Sequence, residues 1–245
     1  MKPSSRTYRT LKGRRRLDSF EVRVKETDLL IRAGKPLKKQ AEDLVYRVRG
    51  HIEAYIESHP GFVTSLSPMD ADPYAPKIVR DMLQAGGKAG VGPMAAVAGA
   101  IAEYVGRGLM AEDPDVMVEN GGDVFIASSE TTTVGIFAGD SPLNLKLGIR
   151  VPADKTPIGV CTSSGTIGHS LSLGRADAAV VVSKSTALAD AAATALGNRV
   201  SKPDDISKAL KWIQEIDGIL GAALILNDQL GAWGQVELVR LDERR

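Results

Sequence analysis

The sequence predicts an α+β fold with largely antiparallel sheets, and three observations predict it. From residue 115 onward short apolar runs follow one another, separated by turn residues. They do not alternate with helices as a parallel βαβ sheet requires. Long helical patterns are instead concentrated before residue 110 and in an Ala-rich stretch after residue 184.

Taken in order, residues 1–16 carry Lys2, Arg6, Arg9, Lys12, Arg14, Arg15 and Arg16 and no acid. This arm reads as a solvated tail or the polar start of a hairpin, because the whole chain has a formal net charge of only +1. Residues 20–25 alternate apolar and charged side chains, the period of a half-exposed strand, and 28–32 supply its hairpin partner. Gly34-Lys35-Pro36 breaks the pattern and opens a helix over 37–58. Its apolar positions Leu44, Val45, Val48, Ile52, Tyr55 and Ile56 recur at helical spacing. His59-Pro60-Gly61 ends it, and His51 and His59 read as surface histidines. Residues 64–76 are a Pro/Asp-rich loop, and 77–84 form a short helix.

A Gly-rich loop is expected next, over 85–93, with Pro93 suited to the first position of a helix over 94–105. Backbone N–H groups of Gly86, Gly87, Lys88, Gly90 and Gly92 would there approach an anion. Close helix packing explains the same glycines equally well. The loop is not a P-loop, since Ala89 follows Lys88 where a hydroxyl is needed. It is not a dinucleotide fingerprint either, since a helical segment precedes it.

Short strands follow at 116–118, 123–127, 132–137, 145–151 and 158–161. Asn120-Gly121-Gly122-Asp123 forms a tight turn between the first two. Residues 176–182 read as a buried strand, the Ala-rich stretch as a helix, 203–217 as an amphipathic helix, and 221–226 and 232–241 as closing strands.

Composition bounds the rest. The chain has 245 residues, 43% of them hydrophobic and 25% charged, which suits one globular domain over 1–245 with its site-bearing part at about 85–198. The single cysteine, Cys161, excludes an intrachain disulfide and a cysteine metal cluster. No apolar run reaches the length of a membrane helix and the N-terminus has no apolar signal core. A cytoplasmic protein with no membrane partner is expected, and the charge balance makes no case for nucleic acid.

The chemistry concentrates in residues 159–198. A Thr/Ser/Gly turn, Thr162-Ser163-Ser164-Gly165, leads to His169. On the Ala-rich helix, Asp190 and Thr194 stand at i and i+4 and so share a face. A carboxylate among alanines is costly unless something pairs it, and a metal ion or backbone N–H groups are the natural partners. Two oxygen ligands of this kind suit Mg²⁺ with waters and a substrate phosphate. His169, with an ordinary pKa near neutrality, suits an acid–base role. A Ser163 or Ser164 triad with His169 and Asp190 lacks the Gly-x-Ser-x-Gly elbow. Cys161 closes an apolar strand and reads as a packed residue.

The ordered set Asn120-Gly121-Gly122-Asp123, Thr162-Ser163-Ser164-Gly165, His169 and Ala189-Asp190 with Thr194 resembles the ApbE superfamily. These are the flavin transferases that move FMN from FAD onto a protein threonine, and the chain looks like their short branch. The resemblance implies a T-fold-like architecture: antiparallel sheets with long helices packed on one face. It also implies Mg²⁺ at Asp190 and Thr194. FAD or FMN would then be the ligand, held by Gly121, Gly122, Asp123 and the Thr162–Gly165 turn, with the Gly86–Gly92 segment on the phosphate. One departure stands out: His169 is followed by Ser170-Leu-Ser-Leu-Gly174, without the Asp-Pro run of the flavin transferases. Two functions therefore stay open. One is a Mg-dependent transferase or binding protein for a flavin nucleotide or other phosphorylated small molecule. The other is a non-catalytic accessory subunit of a metabolic complex, which the resemblance connects to sulfur or homocysteine metabolism. A homo-oligomer is expected.

Overall fold

The computed structural model describes residues 17–165 and 174–241. The chain enters through a hairpin, β1 (Asp18–Val24) and β2 (Thr27–Ala33), then runs through α1 (Lys38–Ser58) and the short α2 (Gly61–Thr64). Next come α3 (Lys77–Ala89), a 3₁₀ turn over Pro93–Ala96, and α4 (Val97–Leu109). Five strands follow: β3 (Val116–Asn120), β4 (Asp123–Ala127), β5 (Thr132–Gly135), β6 (Leu147–Val151) and β7 (Ile158–Ser163). After β8 (Ala178–Ser183) come α5 (Thr186–Gly197) and α6 (Asp205–Ile213). The strands β9 (Ile219–Leu226), β10 (Gln229–Gly234) and β11 (Glu237–Arg240) close the chain.

The strands form an eight-stranded sheet in the order β1-β2-β3-β4-β7-β8-β9-β10 and a three-stranded sheet in the order β11-β6-β5. Every pairing in both sheets is antiparallel. The mixed α/β character with antiparallel sheets is therefore as expected, and the helices lie on one face of the large sheet. The three-stranded sheet on the opposite face is not foreseen in the sequence. The closing stretch at 232–241, expected as one strand, is divided between the two sheets as β10 and β11.

Side-chain alternation explains why the central strands are apolar throughout. In β8, Ala179 and Val181 join the core under the helices, while Ala178, Val180 and Val182 join the core under the small sheet. Phe125 and Cys161 face the helices in the same way, and Val124, Ile126 and Val160 face the small sheet. A strand buried on both faces loses the apolar–polar alternation of a surface strand. The outer strands β1 and β2 keep that alternation, since Phe20, Val22, Val24, Leu29, Ile31 and Ala33 meet the helices and the residues between them do not join that core.

The helix α1 packs through Ala41, Val45, Val48, Ile52 and Tyr55, the stripe its spacing predicts. By contrast α5 is buried on nearly all sides, with Thr194 its exception. Alanine at most of its positions lets neighbouring backbones approach. The helix α4 approaches closely at Gly99, where an added Cβ would lie 2.4 Å from the Thr186 carbonyl oxygen and 2.7 Å from Asp190 Cβ. No side chain larger than hydrogen fits there.

This crossing buries the start of α5, whose first N–H groups have no intrahelical acceptor. Glu103 of α4 supplies one: its Oε2 accepts from Thr186 N–H at 2.7 Å and from Ala187 N–H at 3.4 Å. Its Oε1 accepts from Arg107 Nε at 2.9 Å. The Thr186 hydroxyl, fully buried against Gly159, has no partner among the described residues. No single helix among those residues is long and apolar enough to cross a membrane.

Two substitutions should move stability in opposite directions in a urea titration. Glu103→Ala strands two buried donors and should lower it by about 2–3 kcal/mol. Thr186→Val replaces an unsatisfied hydroxyl with a methyl of similar shape and should raise it by roughly 1 kcal/mol.

Candidate functional site around Asp190

The Gly-rich segment does not have the structure its sequence suggests. Gly86, Gly87 and Lys88 belong to α3, which runs on to Ala89, and the expected loop is corrected to helix. Their N–H groups are spent on intrahelical bonds. Gly90, at φ 74°, caps the helix in the left-handed region that glycine favours, and its N–H bonds to Gly86 O. Val91 N–H also donates to Gly86 O, and Gly92 N–H to Leu66 O. A helix C-terminus presents carbonyls rather than donors, so this segment offers no N–H cradle for a phosphate. Lys88 Nζ reaches Asp217 Oδ2 at 3.1 Å and its carbonyl at 3.2 Å.

Of the remaining predicted residues, the structure brings Gly122, Asp123, Thr162 and Asp190 together. Gly121 and Gly122 adopt φ of 69° and 117° in the tight turn that pairs Asn120 with Asp123. Asn120 Nδ2 donates to Ala98 O at 3.1 Å, which ties this turn to the start of α4. Asp123 lies opposite Cys161 across the β4–β7 pairing. It is held by the Thr162 N–H and the Cys161 thiol, and it feels the charge of Asp190. Thr162 and Ser163 end β7, half-buried, and Ser164 and Gly165 continue from it.

Asp190 is buried, and its Oδ2 accepts from Gly99 N–H at 2.8 Å, with support from the Ala98 N–H. Backbone donors at the start of α4 are thus its partner within the chain, one of the two kinds its setting demands. Burial pushes its carboxyl up from the ordinary 3.8 to about 7, against the pull of those two N–H groups. Asp123 is driven well up as well, first by burial and then by the Asp190 charge. The charge on Asp190 therefore opposes ionisation of Asp123. Thr194 stands one turn beyond Asp190, half-buried. Its hydroxyl makes no bond to the Asp190 carbonyl or any other group among the described residues.

Cys161 is fully buried and its Sγ contacts Thr186 O at 3.4 Å. Burial, followed by the charges of Asp123 and Asp190, pushes its thiol well up. It stays a protonated, packed thiol and not a nucleophile. His169 lies outside the described residues. The two ends of its segment are fixed: Gly165 N–H donates to Ala176 O at 2.9 Å, and Gly174 lies so close to Gly197 O that a Cβ would approach within 1.9 Å. Both ends therefore sit near the last turn of α5.

Glu103 is the residue that sequence reasoning misses. Its signal was available, since it too is a lone acid among small and apolar residues in α4. Arg107 at i+4 gives it the look of a surface ion pair.

The donor chemistry fits a hard divalent cation. Two buried carboxyl groups, Asp123 and Asp190, and a hydroxyl without a partner among the described residues are oxygen ligands of the kind Mg²⁺ takes. Among the described residues no group of three or more His, Cys, Asp or Glu side chains is arranged to hold a metal alone. Waters and ligand oxygens would have to complete the shell.

Comparison with known proteins gives the family and the fold. The profile of the family described as AbpE bacteria matches residues 9–238. A UPF0280 protein of Methanocella arvoryzae is 42% identical over 217 residues, covering 88% of each chain. One from Methanocaldococcus jannaschii is 42% identical over 228 residues, covering 90% of this chain and 93% of its own. Among solved structures, the apo flavinyl transferase ApbE of Pseudomonas stutzeri matches with a TM-score of 0.58 at 15% identity, over 89% of this chain and 94% of its own. The flavin transferase ApbE of Vibrio cholerae matches with a TM-score of 0.57 at 11% identity, over 89% and 96%. At such identities the likeness is one of fold. The family profile and the UPF0280 relatives agree, and the chain belongs to the AbpE bacteria family.

Proposed function

We propose that this protein binds a flavin nucleotide, or another phosphate-bearing small molecule, together with Mg²⁺ held through Asp190 and Thr194. The observation that carries the reading is the pair of buried carboxyl groups, Asp123 and Asp190, both pushed up by burial, with the Asp190 charge raising Asp123 further. A protein keeps such a pair at the expense of stability, and a cation between oxygen ligands relieves it. The flavin transferases that share the fold favour a flavin nucleotide as the ligand. We read the architecture as T-fold-like on the same grounds.

In this reading Asp190 and Thr194 supply protein oxygens to the ion. Asp123, held by Thr162 N–H, adds negative charge beside it. The Gly121-Gly122 turn and the Thr162–Gly165 strand end shape the edge where the ligand lies. Bound Mg²⁺ would neutralise phosphate charge. His169 takes the proton-transfer role, should a group be transferred. Gly86, Gly87, Lys88, Gly90 and Gly92 have no part in it, because their backbone donors are already used.

Calorimetric titration with FAD and FMN, with and without Mg²⁺, tests this. Micromolar binding that needs Mg²⁺ and weakens at least about tenfold in Asp190→Asn is expected. Equal affinity in EDTA would reject the metal.

The electrostatics predict a separate pH effect in the metal-free protein. The unfolded Asp190 loses its proton near 3.8 and the folded one near 7. Between those values the folded state holds a proton that the unfolded chain has released, so stability falls as pH rises through the window. Urea denaturation in EDTA should show this fall. Asp190→Asn should flatten it and be the more stable protein at about pH 8.

A further inference from the structure

A second concavity lies on the helical layer and shares no residue with the Asp190 cluster. It is a groove of about 460 Å³ between α1, the start of α3 and α4, lined among others by Arg47, His51, Tyr74, Lys77 and Tyr104. Leu44, Val48 and Ile78 form part of its apolar floor. The volume falls within the ordinary range for small-ligand sites.

Its charges are unevenly matched. Lys77 Nζ is 2.8 Å from Asp81 Oδ2 and 3.3 Å from the Tyr104 hydroxyl, and that hydroxyl donates to the same Asp81 oxygen at 2.6 Å. Lys77 is therefore largely neutralised. Arg47 has no hydrogen bond or ion pair among the described residues, and His51, one turn further along α1, has none either. At i and i+4 both side chains project from the same face, and Arg47 brings a planar fork of donors suited to phosphate.

Tyr74 is the second independent feature. Its side chain is 95% exposed, which is unusual for a large aromatic group. Yet the turn that carries it is held firmly. Asp72 Oδ1 accepts from Tyr74 N–H at 2.9 Å, and Asp72 Oδ2 accepts from the Tyr55 hydroxyl at 3.1 Å. Arg80 Nη1 donates to Pro73 O at 3.1 Å. The chain thus anchors the backbone that carries an exposed aromatic ring at the edge of a groove that contains an unpaired guanidinium.

The geometry points to a binding site in this groove for a planar aromatic phosphomonoester, with the ring against Tyr74 and the phosphate on Arg47. A nucleoside monophosphate has this chemistry and a suitable size. The site needs no metal, because its counter-charges are side chains, and that separates it from the Asp190 site.

The test is calorimetric titration of the whole chain with AMP, phenyl phosphate and inorganic phosphate in EDTA. AMP and phenyl phosphate should bind with submillimolar affinity and inorganic phosphate more weakly. Arg47→Gln should weaken AMP about tenfold, and Tyr74→Ala about fivefold. Tyr74→Phe should restore most of that loss, and Asp190→Asn should change nothing. Failure of both aromatic phosphates to bind would overturn the proposal. So would binding indifferent to Arg47→Gln and Tyr74→Ala, or binding lost only in Asp190→Asn. Both groove substitutions are at exposed positions, so a matched thermal melt excludes unfolding as the cause of weaker binding.

Discussion

Two helices that start side by side inside a protein create a problem of unpaired donors, and this fold depends on how that problem is met. The N–H groups at the start of α4 are taken by Asp190 of α5, and those at the start of α5 by Glu103 of α4. Each helix caps the other. The exchange works only at very short separation, which is why Gly99 stands at the crossing and why α5 is built from alanine. Positive helix ends facing buried carboxylates also lower the cost of keeping those carboxylates charged.

That exchange has a consequence at the sheet. Fixing Asp190 against the start of α4 also fixes it near Asp123, because Asn120 ties the β3–β4 turn to Ala98. Glu103 is balanced by Arg107, whereas Asp190 faces another carboxylate. The two caps are alike in architecture and opposite in electrostatics. One is settled within the chain by an ion pair, and the other sets a carboxyl group beside a second one with both pushed up by burial. The second sheet covers the far face of β4, β7, β8 and β9, while both carboxyl groups are buried on the helical side, where desolvation raises their pKa values.

Much of the site was legible because it broke a local rule. One acid in a run of alanines, followed at i+4 by a hydroxyl, has no reason to be there unless something satisfies it. The Asn120–Asp123 turn was legible because two adjacent glycines between strands leave few backbone choices. The Gly86–Gly92 segment was misread for a related reason. Glycines report backbone freedom and close approach, but not whether their N–H groups are already spent. Here α3 absorbs three of the predicted residues, and the C-cap and Leu66 absorb the rest.

By itself the sequence determined most of the elements, the antiparallel character of the sheets, the placing of Asp190 and Thr194 on one helix face and the likeness to flavin transferases. These depend on short-range periodicity and on ordered motifs. Only the tertiary structure decided that a second sheet covers the first, that Glu103 matters as much to the helix pair as Asp190, and that the Gly-rich segment is helix. It also decided that an unpaired arginine and an exposed tyrosine meet across a groove. Each of these is a pairing between residues distant in the chain. Their energies come from burial and desolvation, which no local pattern records.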